Sequence, residues 1–316
     1  MRKEIIKVSV LLSAILLTCV ALIWLTPLPP SNYFGVIHYK HQLLERTPSP
    51  RIIFIGDSNL AFGIDGRIIH ETLNRNVVNM GLHAGLGLRY VMNEIKDNIK
   101  PGDIIVVVQN FYLNLGCDQN LLEVILYYPD GTSYLGFPEY VTLTRKFPIA
   151  LQRRFEGYFK NFLFDSSYGP GHPAYNKHNF DMYGDNIGHL GRHDLKLKKQ
   201  KLDIQRDPTD VAEALNQFST YAAQKGAQLV LSFPPSPQTY FKPEEHAADH
   251  LYTWLKNNLH FPIIGTPRDF VFPDDFFYDT IYHLNERGRR ERTIILAGEL
   301  AKMLREHSEL ARLSPK

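Results

Sequence analysis

The chain has 316 residues, 44% of them hydrophobic, which is enough apolar mass for one large domain with a full core. A formal net charge of +2, with acidic and basic residues interspersed, gives no electrostatic ground for a nucleic-acid partner. The two cysteines, Cys19 and Cys117, lie far apart and one sits in an apolar run, which argues against an intrachain disulfide.

Residues 1–7 carry Arg2, Lys3 and Lys7, and an uncharged run follows from Val8 to Leu25. As a helix this run spans about 27 Å, close to the thickness of a bilayer core. The next basic residue is Lys40, so the positive-inside rule keeps the N-terminus cytoplasmic and exports the rest. Trp24-Leu25-Thr26-Pro27 offers no small-x-small cleavage site, which favours an uncleaved anchor over a signal peptide. The expectation is a single-pass protein of the bacterial inner (cytoplasmic) membrane with a periplasmic or extracellular soluble domain. Residues 26–50 hold Pro27, Pro29, Pro30, Pro48 and Pro50 and read as a stalk, so the soluble domain is expected over 51–316.

From Arg51 onward, strand and helix patterns alternate. Strands are expected at Arg51–Gly56, Asn76–Met80, Asp103–Gln109, Ala227–Phe233 and Phe261–Thr266. Helices are expected at Ile64–Leu73, Leu86–Ile99 and Glu139–Leu163, in a segment opened by Asp207-Pro208, and at Pro243–Leu259. A last helix runs from Glu286 to about Leu310, capped by Asn285 and facing inward through Ile294, Ile295, Leu300 and Met303. DIIVVVQ is apolar on both faces, as a central parallel strand should be. This order predicts a doubly wound α/β fold: a mainly parallel, five-stranded sheet covered on both faces. The segment 111–206 is far longer than one crossover needs. It reads as an aromatic-rich insertion that shapes substrate entry.

In such sheets ligands bind beyond the carboxyl ends of the strands. Ser58 follows the first strand, Gly81 the second and Asn110 the third, while Asp279 and His283 follow the fifth. A serine nucleophile needs a base within reach and a third group to orient that base. Ser58, His283 and Asp279 supply the three, with Asp275 a substitute acid. The backbone N–H groups of Ser58 and Gly81 and the side-chain amide of Asn110 are candidate oxyanion donors. Inside the insertion, His172, His178, His189 and His193 lie near Asp181 and Asp185. Pro173, Gly184, Gly188 and Gly191 break the helix a His-x3-His zinc site would need, so no metal or other cofactor is expected. Asn179, Asp181, Asp185 and His189 are expected to contact substrate.

Four blocks carry a resemblance: GDSN at Gly56–Asn59, NMGL at Asn79–Leu82, VVQN at Val107–Asn110 and DTIYHLNERG at Asp279–Gly288. On these blocks the chain resembles the SGNH (GDSL-type) hydrolases, whose Ser, Gly, Asn and His they supply. The resemblance implies a flavodoxin-like α/β/α sandwich. With the N-terminal run and the His-Leu-Asn-x-x-Gly ending, the chain is more narrowly similar to membrane-anchored, exported members that acylate cell-surface polymers. It implies an acyl-serine esterase or O-acyltransferase acting on a cell-surface glycan or another acyl ester, with a multi-span membrane protein as acyl donor if it is a transferase. Two alternatives stand beside this expectation: a catalytically inactive scaffold of a polysaccharide acylation or export complex, and a lipid-directed thioesterase or lysophospholipase.

Overall fold

The computed structural model describes residues 2–25, 31–163, 173–194, 196–197 and 200–313. Helix α1 runs over Arg2–Leu25. Among the described residues no helix is long and apolar enough to cross a membrane. The expected Val8–Leu25 span lies on α1, but its side chains at 16, 19, 20 and 22–25 fall outside the described ones.

The segment expected as a stalk belongs to the domain from residue 31 onward. Tyr33–Val36 forms a 3-10 turn capped by the Asn32 side chain, and α2 follows at Ile37–Arg46. Tyr33, Phe34, Val36, Ile37 and Leu44 are all buried. Lys40 is also buried, and its ammonium donates to the carbonyls of Asn79 (2.6 Å) and Gly184 (2.7 Å). Prolines at both ends suggested a linker, but an apolar stripe at 37 and 44 makes residues 37–46 an amphipathic helix packed on the core.

Four strands, β1 (Arg51–Gly56), β2 (Asn76–Asn79), β3 (Ile104–Val108) and β4 (Gln228–Leu231), form a parallel sheet in the order β2-β1-β3-β4. Every residue of β1 and β3 is buried. The sheet is covered on both faces, so its central strands carry the apolar runs Ile52–Ile55 and Ile104–Val108. The expected fifth strand is reduced to a single parallel bridge, Leu231–Ile263. Pro262 has no N–H to extend the ladder, although its carbonyl accepts from Leu231 N at 3.0 Å. A separate pair of two-residue strands, β5 (Ser236–Pro237) and β6 (Val271–Phe272), lies beyond.

Six helices follow the expected order with shifted ends: α4 (Gly66–Leu73), α5 (Leu88–Ile95), α7 (Phe137–Leu163), α8 (Thr209–Gln224), α10 (Glu245–Asn258) and α11 (Glu286–Leu313); three short ones, α3 (Ser58–Gly63), α6 (Asn120–Tyr127) and α9 (Gln238–Phe241), were not expected. Helix α8 buries the stripe Val211, Leu215, Phe218 and Ala222, but begins one residue past Pro208. Asn285 caps α11 by accepting from Gly288 N at 3.2 Å. The inner face of α11 differs from expectation. Ile294 is 46% exposed, whereas Arg289, Arg292 and Thr293 are buried with Leu296, Leu300 and Met303. Arg292 donates to Asn59 O (2.6 Å) and Asn59 Oδ1 (2.7 Å), and Arg289 donates to Ile64 O. Short helix α3 leaves carbonyls without intrahelical donors, and two arginines supply them.

A chain starting at Ser31 is expected to melt as one lacking only the N-terminal helix would. A chain starting at Arg51 is expected not to fold. Losing Ile37 and Leu44 alone removes about 3–6 kcal/mol of apolar burial, a large share of a domain's net stability. Thermal melts of the two truncations check this.

Candidate active site

The chain leaves β1 through Gly56 and Asp57. Gly56 has φ +152°, and a Cβ there would stand 1.7 Å from the Val108 carbonyl, so only glycine lets β1 approach β3 at this end. Asp57 then caps α3. Its Oδ1 accepts from Asn59 N at 2.8 Å and its Oδ2 accepts from Asn110 N at 2.8 Å. Ser58 is the first residue of α3 and is held at the carboxyl rim of the sheet.

The base arrives from the loop ahead of α11. Tyr278 N donates to His283 O at 2.8 Å, and the Thr280 hydroxyl accepts from the backbone N–H groups of Tyr282 (3.2 Å) and His283 (3.1 Å). This closed turn puts Asp279 and His283 on the same side. His283 Nδ1 lies 2.8 Å from Asp279 Oδ1, and His283 Nε2 lies 2.8 Å from Ser58 Oγ. A carboxylate facing Nδ1 fixes the proton there, which leaves Nε2 to accept from the Ser58 hydroxyl. The imidazole is stacked on Phe62, with centroids 4.2 Å apart and planes within 7°. Burial works to raise the Asp279 pKa, but hydrogen bonds from His283 and Tyr175 outweigh it and hold the carboxyl below its usual value. Asp275, the substitute acid, instead receives Arg287 on the surface.

Asn110 Oδ1 accepts from Tyr112 N at 3.2 Å, which leaves its Nδ2 as the free donor toward the cavity. Gly81 does not serve as expected. Its N–H donates to Asn79 Oδ1 at 2.9 Å, and a Cβ there would meet Leu60 and Asp57, so this glycine permits close packing against α3. Further along the same loop Ala84 lines the cavity beside His83. Its N–H, like that of Ser58, has no acceptor among the described residues. Ser58 N, Ala84 N and Asn110 Nδ2 are therefore the candidate oxyanion donors that border this cavity. A backbone donor leaves no side-chain mark, so Ala84 was not visible in the sequence.

The cavity has a volume of about 560 Å³. Asn32, Tyr33 and Phe34 line it, as do Asn120, Tyr175 and Gln200 of the 111–206 segment; Asp57, His83, Ala84, Asn110, Thr280 and Tyr282 complete the lining with Ser58 and His283. The insertion thus borders the site, but through residues other than those expected. Asn179, Asp181, Asp185 and His189 do not line it. Asn179 bonds the Pro173 carbonyl, and Asp181 Oδ1 accepts from Tyr183 N and Asp185 N within its own turn. Asp185 is fully buried, with Gly66 N at 2.6 Å, Asn79 Nδ2 at 2.7 Å and Arg289 at 3.3 Å. His189 is buried behind Phe62, and burial, Arg289 and His283 push its pKa down to about 3. Of the four, Asp185 fastens the segment 173–190 to the ends of α4, β2 and α11. His172 lies outside the described residues, and no cluster able to hold a metal occurs among the described ones. Cys117 is half-buried, and burial pushes its thiol up to about 11.

Asp185→Ala is expected to destabilise the domain by roughly 3–5 kcal/mol, because it removes the buried carboxylate that Gly66 N, Asn79 Nδ2 and Arg289 share. Urea unfolding against wild type measures this.

Comparison with protein-family models, with curated proteins and with solved structures returned no match to this chain.

Proposed function

We propose that this chain is a membrane-anchored, extracytoplasmic serine acyl esterase or O-acyltransferase of SGNH type, working through an acyl-Ser58 intermediate. The observation that carries the reading is the unbroken line Ser58–His283–Asp279, with both contacts at 2.8 Å. In the first half-reaction Ser58 Oγ attacks the ester carbonyl and His283 Nε2 takes its proton. Ser58 N, Ala84 N and Asn110 Nδ2 meet the oxyanion. The tetrahedral intermediate collapses to acyl-Ser58, and the departing alkoxide takes the proton back from His283. In the second half-reaction His283 deprotonates water or an acceptor hydroxyl, which attacks the acyl-serine; the acyl–Oγ bond breaks and Ser58 Oγ takes the proton back from His283. Water completes an esterase cycle and a hydroxyl completes a transfer.

The substrate is proposed to be an acyl ester of a cell-surface glycan. The cavity lining offers amides and hydroxyls at Asn32, Asn120, Gln200, Thr280 and Tyr282 to a hydroxyl-rich ligand and the rings of Tyr33, Phe34 and Tyr175 to an apolar group. The complete triad favours an enzyme over the inactive scaffold. The apolar run at Val8–Leu25 supports the anchor. Only residues 26–30 separate α1 from the folded domain, a reach of at most about 18 Å. The domain resumes at Asn32–Phe34, in the wall of the cavity, so an anchored chain would hold its active site near the bilayer surface. A multi-span membrane protein is the proposed acyl donor for a transferase, since one span cannot carry acyl groups across.

A fluorophosphonate probe is expected to label wild type and not Ser58→Ala. Absence of labelling in folded wild type would remove the acyl-serine reading. Asn110→Ala is expected to keep its fold and lose about 100-fold in kcat on an activated acetate ester, with KM little changed, because its donor acts on the oxyanion. Steady-state kinetics separates the two constants.

A further inference from the structure

The acid of the triad has a second partner, supplied by the insertion. Tyr175 donates its hydroxyl to Asp279 Oδ2, the oxygen His283 does not use. The same hydroxyl oxygen lies 3.2 Å from His283 Nδ1, so it sits across the carboxylate–imidazole contact.

The tyrosine is fixed from several sides. Asn186 Nδ2 donates to Ala174 O at 2.9 Å, and Asn176 pairs with Asn32 in an antiparallel bridge. Lys177 N donates to Ser31 O at 3.3 Å. The ring packs against Tyr33 and Phe62, with centroids 5.6 Å and 5.2 Å away. Such packing leaves the hydroxyl little freedom to point elsewhere.

We propose that Tyr175 is a positioning residue of the acyl-transfer triad: by holding Asp279 Oδ2, it orients the carboxylate and limits how strongly Oδ1 stabilises the His283 imidazolium. This rests on the acyl-serine reading of the site. A donor on one oxygen draws negative charge toward itself and away from the other. Without it the carboxylate attracts the imidazolium more strongly, and His283 becomes harder to deprotonate. Burial and the Asp279 charge raise the Tyr175 pKa, so its hydroxyl stays a donor across the working range. Other titratable groups around Asp279 and His283 are His189 behind Phe62, Asp57, His83 and Tyr282 in the lining of the same cavity, and Tyr33 and Tyr278 beside the carboxylate. All six are unchanged by a substitution at 175.

The test uses the full chain and follows the rate of fluorophosphonate inactivation against pH. The acid limb of that profile records the loss of neutral His283. Tyr175→Phe is expected to move the limb to higher pH by about half a unit or more. Fluorotyrosine at 175, nearly the same shape but a stronger donor, is expected to move it to lower pH. It also carries the test if the phenylalanine variant does not fold. A purely structural role predicts a lower rate with the limb in place, so an unmoved limb in the folded variants overturns the proposal. If wild type itself is not labelled at Ser58, the acyl-serine reading fails and takes this inference with it. Labelling with an unmoved limb removes the inference alone.

Discussion

One carboxylate holds the front of the site together. Asp57 takes the N–H of Asn59 on one oxygen and the N–H of Asn110 on the other, while only 2% exposed. The first contact sets the opening turn of α3, where Ser58 stands, and the second sets the end of β3, where Asn110 stands. Hydrogen bonds to an ionised group are worth about 1.5–3 kcal/mol each. Two of them on one buried side chain make the distance between nucleophile and oxyanion donor hard to change. The chain of contacts continues. Asn59 accepts two hydrogen bonds from Arg292, and Arg292 lies on α11, directly after the loop that carries Asp279 and His283. Asn110, Asp57, Asn59 and Arg292 thus join the rim of the sheet to the helix behind the base.

A second polar network does the same for the back of the site. Asp185 receives Gly66, Asn79 and Arg289, and Lys40 donates to the carbonyls of Asn79 and Gly184. Burial pulls the Lys40 pKa down and the Asp185 pKa up, so neither charge is placed there without cost. What the network secures is position. It fixes residues 31–46 and 173–190, both outside the sheet, against the ends of β2 and α4. Those two segments then pair with each other through Asn32 and Asn176 and deliver Tyr33, Phe34 and Tyr175 to the cavity.

These networks explain what the sequence disclosed and what it hid. Parallel strands buried on both faces must be apolar throughout, so Ile52–Ile55 and Ile104–Val108 announced themselves. The meeting of Ser58, Asp279 and His283 was legible because loops of a doubly wound fold converge at the ends of such strands. The fifth strand was overread: apolar residues at 261–264 fit the pattern, but Pro262 cannot donate to a ladder. The helix at 37–46 was underread because its inward stripe includes Lys40 and His41, which binary patterning assigns to solvent. Helix α11 inverts the same rule, burying Arg289 and Arg292 while exposing Ile294. Polar side chains in the insertion looked like substrate contacts because sequence does not reveal whether a carboxylate faces a cavity or an arginine. Ala84 offers the cavity only its backbone N–H, and Tyr175 meets Asp279 across more than a hundred residues, so neither leaves a local signal.

The electrostatics of the site follow from which valences are closed and which are open. Both carboxylates nearest the nucleophile have each oxygen occupied: Asp57 by Asn59 and Asn110, Asp279 by His283 and Tyr175. Neither offers an unpaired oxygen that would repel charge developing on a substrate. The open groups beside Ser58, among the described residues, are neutral donors: the N–H of Ser58, the N–H of Ala84 and the amide of Asn110. Such an arrangement is better matched to an oxyanion than to a neutral carbonyl, because fixed dipoles gain most where charge appears. His283 alone stands between the two sets, with one nitrogen toward the closed carboxylate and the other toward the serine. In the proposed reaction this geometry would confine proton movement to one line, from Ser58 Oγ to His283 Nε2 and back to the leaving group.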